Sequence, residues 1–182
     1  MTGTPALVAY LGWSGRGNLG DDAIQEAIGT GVPGVAFAPL PLYAAETLRF
    51  MLAPRGARRV RRAILVLGGG TVIGRSNWRV HLRVGLWLVP TRPARMIGAG
   101  VEDPDFQGRH SFSGGGELTR WAPLLRTFEA VTVRGPRSAE LLADVGIEAR
   151  VVGDPALLLG PPEGAPTVEP GLIGVNLGHG DD

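Results

Sequence analysis

Short apolar runs alternate along this chain with longer stretches of helical spacing. ALVAYLG (6–12), VAFAPL (35–40), AILVLGG (63–69), ARMIGAG (94–100), AVTVRG (130–135) and ARVVGD (149–154) read as strands. Helices are predicted near 22–29, 44–53, 77–88, 117–128 and 137–145. Strands separated by helical segments indicate βαβ units and a parallel sheet covered on both faces. The unbroken apolar character of AILVL marks a central strand. The predicted fold class is therefore α/β, a Rossmann-like parallel sheet flanked by helices.

Helix-end signals fit that pattern. Asp21 or Asp22 is predicted to cap a helix beginning at Ala23. Pro136 stands at a first-turn position before RSAELLADVG, and Gly146 closes that helix. Leu141, Leu142 and Val145 give it an apolar stripe. The periodic pattern makes 1–160 one N-terminal domain. Residues 161–171 are rich in Pro and Gly and read as a linker. LIGVNLG then opens a fresh β-type run, so 172–182 is expected to be the first strand of a second, truncated domain.

Composition narrows the classes. A chain of 182 residues suits one full domain and is short for two. No segment approaches the roughly 20 apolar residues of a membrane span, and MTGTPALVAY lacks the features of a signal peptide. The expected location is cytoplasmic. The absence of cysteine excludes disulfides, thiol catalysis and Cys-ligated metals. His81, His110 and His179 have no metal-ligand spacing, so no metal site is expected. All 18 basic residues are Arg, which fits a GC-rich bacterial genome and removes lysine-based Schiff-base or Walker chemistry. A formal charge of +1 argues against a broad nucleic-acid surface. The run RGARRVRR (55–62) reads as a solvated face, with peripheral contact to an anionic membrane or acidic glycan as the alternative.

Glycines cluster where strands should end, in GWSGRGNLGDD, LGGGTVIG, GAGVEDPD and VGDPA. In open α/β sheets ligands bind beyond the carboxyl ends of strands, and glycine lets the backbone approach them. Gly17, Asn18, Asp21, Gly69 and Gly70 are therefore candidate substrate contacts. GRGNLG (15–20) fits the dinucleotide pattern by letter. Its support fails twice. The second-strand region VAFAPLPLY has no ribose-binding acid, and Asp21-Asp22 would repel a pyrophosphate at the helix start. An NAD(P)- or FAD-binding oxidoreductase domain is thus the runner-up. Asn18 and Asp21 suit recognition of sugar hydroxyls or the positioning of an Arg.

Read in order, GWSGRGNLGDDAI, LVLGGGTVIG, GAGVED, VTVRGPRSAELLADVG and VVGDPALLL resemble the bacterial polysaccharide pyruvyl transferase family. The resemblance runs nearly from the N-terminus to Leu159, and Gly135 stands where that family often has an acid. It implies a glycosyltransferase-B-like arrangement of two Rossmann-like domains, of which this chain supplies roughly the first. It also implies an enzyme that moves the enolpyruvyl group of phosphoenolpyruvate onto sugar hydroxyls of a cell-surface polysaccharide or its precursor. The product is a pyruvate ketal, phosphate is released, and no resident cofactor is implied. Partners would be phosphoenolpyruvate and a glycan acceptor.

That reaction needs cations or N–H groups for phosphate and carboxylate, an acid for the methylene carbon and a base for the hydroxyl. Arg134 matches the family's V-R motif and is the expected anion contact. Asp154 either fixes Arg134, binds a hydroxyl or caps the turn before Pro155. Arg137 and Ser138 read as first-turn residues, with phosphate contact as the alternative. His110 and His179 are the candidate catalytic acids, and His81 reads as structural. A non-catalytic, truncated sugar-binding domain is the remaining alternative.

Overall fold

A computed structural model describes residues 6–53, 56–90, 94–105 and 116–160, together with Gly164 and Gly171. In chain order the elements begin with β1 (Ala6–Leu11), α1 (Leu19–Gly31), β2 (Val35–Pro39), α2 (Ala44–Leu52) and α3 (Gly56–Val60). Next come β3 (Ile64–Gly68), β4 (Thr71–Ile73), α4 (Ser76–Leu88) and β5 (Ala94–Val101). The last are α5 (Glu117–Leu125), β6 (Phe128–Val133), α6 (Pro136–Ala143), β7 (Arg150–Val151) and a 3-10 turn at Pro155–Leu158. All strand pairs among the described residues are parallel, in the order β2-β1-β3-β5-β6-β7 with β4 against β5. This is the Rossmann-like α/β architecture expected.

Alternation along the strands divides the core in two, because successive side chains leave a strand on opposite faces. Ala9, Leu11, Leu65 and Leu67 pack on one face against Trp78 and Leu82 of α4, within a cluster that includes Trp121 of α5 and Leu142 of α6. Val8, Tyr10 and Val66 pack on the other face with Ile24 and Ile28 of α1. The two-period strand pattern and the four-residue spacing of Ile24 and Ile28 produce this layering directly.

Three expectations change in detail. The predicted cap at Asp21 or Asp22 is displaced to Asn18, whose Oδ1 accepts from Gly20 N at 3.0 Å, so α1 begins at Leu19. The helix predicted over 117–128 ends at Leu125, because Phe128 already pairs with Ala94 in the sheet. β4 and α3 are additional: a three-residue strand and a single turn carry too little periodicity to be read locally. Pro136 is at the first turn of α6 as expected, and Gly146 follows it in the left-handed region at φ +70. The proposed linker (161–171) lies outside the described residues apart from Gly164 and Gly171, as does the whole of 172–182.

Candidate functional site

Strand order decides where a ligand can sit. β2 lies on one side of β1 and β3 on the other, so a crevice opens beyond the carboxyl ends of β1 and β3. A cleft of about 540 Å³ lies there, and its wall includes Asn18, Asp21, Gly70, Arg134 and Asp154. The sequence singles out each of these, although they are spread over most of the chain. Thr71, Arg75, Asn77, Trp13 and Trp78 also line it and are not evident from pattern alone. Arg75 and Asn77 follow the glycine turn of β3 at the next strand-to-helix junction, so the rim argument applied once more would reach them.

The first wall is the loop between β1 and α1. Asn18 Oδ1 takes the Gly20 N–H and, at 3.4 Å, the Asp21 N–H. Asp22 Oδ1 takes the Gly15 N–H. The backbone donors that a dinucleotide loop would offer to a pyrophosphate are thus occupied by its own side chains. Arg16 leaves the same loop to lie 5.2 Å from the centroid of the Trp13 ring and 4.8 Å from that of Tyr43. Both of its contacts to Glu46 come from Nη2, at 2.9 and 2.7 Å. The Arg16 hydrogen bond holds the Glu46 carboxyl below its ordinary value, helped by the N–H groups of Leu42 and Tyr43. This cluster fastens the glycine loop to the start of α2.

Asp21 supplies the second joint. It is 8% exposed, and its Oδ1 accepts from Gly70 N at 2.9 Å. A Cβ at either Gly69 or Gly70 would come within 3.2 Å of that oxygen, and Gly69 has φ +97. Glycine at these two positions is what allows the β3 turn to close on the carboxylate. A charge-assisted hydrogen bond of this kind contributes about 1.5–3 kcal/mol. Gly69 is buried behind the wall, and Gly17 sits exposed on the loop outside it.

The third wall is cationic. Arg134 follows β6, and its Nη2 donates to Thr71 Oγ1, while Nη1 lies 3.6 Å from Asp154 Oδ2. Gly100 in β5 makes room: a Cβ there would stand 2.8 Å from Arg134 Nε. Asp154 does two of the things expected of it, since its other oxygen caps Ala156 N at 3.0 Å. Arg75, at the start of α4, donates from Nε to Glu102 at 2.8 Å and also lines the cleft.

Other candidates fall elsewhere. Arg137 donates to Asp103 at 2.8 Å and pairs with Asp105 and Glu140, and Ser138 Oγ accepts from Val101 N. Both are the first-turn residues of α6 that the sequence suggests. His81 packs edge-on to Trp78, and burial pushes its pKa below the ordinary 6.5. His110 and His179 lie outside the described residues. Among the described residues there is no cluster of three His, Asp or Glu able to hold a metal. None of their helices is long and apolar enough to cross a membrane.

The family model for polysaccharide pyruvyl transferase matches residues 18–180. The chain belongs to the polysaccharide pyruvyl transferase family. No curated protein and no solved structure gives a significant match. The match to the pyruvyl transferase family opens on Asn18, the cap of α1, and spans the cleft residues from there to Asp154. Trp13 and Arg16 precede it.

Proposed function

We propose that this chain forms the N-terminal half of an enzyme that transfers the enolpyruvyl group of phosphoenolpyruvate to two hydroxyls of a sugar. The acceptor is a cell-surface polysaccharide or its precursor, and the setting is the cytoplasm of a bacterium. In the balanced reaction one hydroxyl oxygen adds to the carbon that bears phosphate, and the methylene carbon gains a proton. The second oxygen then displaces phosphate and closes the ketal, while the hydroxyl protons replace the one consumed and leave with phosphate.

The observation that carries this reading is Arg134, held at the rim by a neutral hydroxyl and a carboxylate 3.6 Å away. A guanidinium has five N–H donors in a planar fork, and so retains capacity for a carboxylate or phosphate. Arg75 adds a second cation to the same wall. In this reading Asp154 orients Arg134, Asn18 and Asp21 face the sugar, and Gly70 with the buried Gly69 shapes the floor. His110 and His179 are the candidates for the proton donor, and no resident cofactor takes part.

The test is phosphate release from phosphoenolpyruvate by the full-length protein with acceptor glycans. Acceptor-dependent release that Arg134→Ala lowers about 10²–10³-fold is expected. Absence of both release and phosphoenolpyruvate binding overturns the proposal.

A further inference from the structure

Two cations, Arg134 and Arg75, line the cleft together with uncharged groups. Arg16, which lies over Trp13, is paired with Glu46, and the Asp21 carboxylate accepts the Gly70 N–H. Beside the arginines, the spare donors of the cleft are neutral. The Oδ1 of Asn18 is used in capping, but its amide N–H groups have no partner among the described residues. The exposed Asn77 amide and the Trp13 indole N–H likewise have none among the described residues. All three side chains belong to residues lining the cleft.

Trp13 is also fixed in place. Trp78 and Tyr43 each make a T-shaped contact with its ring at 6.3 Å between centroids, and Arg16 lies over it. Trp13 is half-buried and lines the cleft, and an indole held in this way loses little rotamer entropy when a ligand packs on it. We propose that Trp13, with the amides of Asn18 and Asn77 in the same cleft, is the stacking platform for a neutral pyranose ring, the acceptor-sugar subsite of the cleft. A pyranose matches it in kind, with an apolar C–H face for the indole and hydroxyl oxygens for the neutral donors. A nucleobase would stack equally well. Its attached phosphates, however, would meet Asp21, Asp22 and backbone N–H groups already engaged by Asn18 and Asp22. The subsite rests on the transferase reading only for the name of acceptor; sugar binding at Trp13 stands independently of turnover.

The experiment titrates the full-length protein, without phosphoenolpyruvate, against a panel of neutral methyl pyranosides and their disaccharides. Tryptophan fluorescence and saturation-transfer NMR provide the readouts. At least one sugar binds. Trp13→Ala weakens it about tenfold and Asn77→Ala about threefold, while Trp13→Phe keeps most of the affinity and phosphoenolpyruvate affinity is unchanged. Asn77 is exposed and has no protein partner among the described residues, so its variant reports on binding even if Trp13→Ala does not fold. The subsite is overturned if no pyranoside binds. It is also overturned if both alanine variants bind like wild type, or if adenosine displaces every sugar at lower concentration. Sugar binding through Trp13 with neither phosphate release nor phosphoenolpyruvate binding would sink the transferase reading alone. Phosphate release with an acceptor KM unaffected by either alanine variant would sink the subsite alone.

Discussion

Two arginine–carboxylate pairs in this protein share their chemistry and differ in every physical respect. Arg79 and Glu117 join α4 to α5, with side chains 15% and 3% exposed. Glu117 accepts from Arg79 Nε and Nη2 and from Arg120 Nη1, so its oxygens are surrounded by donors. Arg134 and Asp154 are 36% and 30% exposed and stand 3.6 Å apart, beyond hydrogen-bond distance. The first pair closes on itself and is part of the architecture. The second leaves Arg134 donors without a partner among the described residues at the rim of the sheet, as the proposed anion-binding role requires. Substitutions should therefore separate them, one pair moving activity and the other stability.

The largest effect is expected at Arg134. Removing one preorganised donor from a site of developing charge costs about 10²–10³ in rate. Arg134→Ala should lower kcat/KM for phosphate release by that factor, and Arg134→Lys should recover little because it lacks the planar fork. Unfolding by denaturant should shift by no more than about 1 kcal/mol, since the lost contacts are one hydroxyl and one loose ion pair. A loss of stability matching the loss of activity would erase the contrast between the pairs.

Glu117→Gln tests the other side. It leaves Arg79 largely buried without its charge partner, at a cost of about 3 kcal/mol, with turnover per folded molecule preserved. Acid should act through the same residue. The Arg79 hydrogen bond holds the Glu117 carboxyl below its ordinary 4.5, against the opposing push of burial. Below that value the unfolded chain binds more protons than the folded one. The contribution is therefore complete above 4.5 and fades as pH falls through the lowered folded value. Between about pH 5 and pH 3, wild type should lose stability more steeply than Glu117→Gln. Equal slopes would mean that this pair is not the acid-sensitive one.

How much of this was legible in the sequence depends on the range over which each feature is decided. Strand and helix positions are local, and the apolar runs locate every strand but β4. Thr71–Ile73 becomes a strand only because β5 lies beside it. The cap of α1 was ambiguous for a definite reason. Leu19 opens the helix yet is 84% exposed, so the first turn carries no apolar signal to separate Asn18 from Asp21 and Asp22. The glycine turns point to Asn18, Asp21 and Gly70, and the family's motifs add Arg134 and Asp154, because a parallel sheet puts all its strand ends on one rim. Partners along that rim stayed hidden, since they depend on strand order. Nothing local says that Gly100 clears space for Arg134, or that Thr71 orients it.

Asp21→Asn gives a smaller effect and bears on the joint between the two glycine turns. Asparagine keeps an acceptor for the Gly70 N–H, so only the charge assistance is lost, about 1 kcal/mol. Urea unfolding measures it. A loss above about 3 kcal/mol would mean that the carboxylate is needed to shape the turn and that an amide cannot replace it.

The smallest effect, and the one with opposite sign, is expected at Tyr10. Its side chain is 1% exposed, and its hydroxyl is the one fully buried side-chain polar atom without a partner among the described residues. Burial first, and the charge of Asp21 second, push its pKa far above the ordinary value, so the hydroxyl keeps its proton. The ring itself is well placed, edge-on to Phe37 at 5.8 Å and against Gly68, where any Cβ would approach the hydroxyl to 2.8 Å. Tyr10→Phe preserves that packing and removes a desolvated O–H that no protein group repays. Stability should stay level or rise by up to about 1 kcal/mol, with phosphate release unchanged. A fall of more than about 1 kcal/mol would instead reveal a partner for the hydroxyl in the working protein, such as a bound water shared with Asp21. In that case Tyr10 would belong with Glu117 among the groups that close on themselves. A level or raised stability leaves Arg134 as the clearer case of a polar group at the rim whose spare capacity is for a ligand.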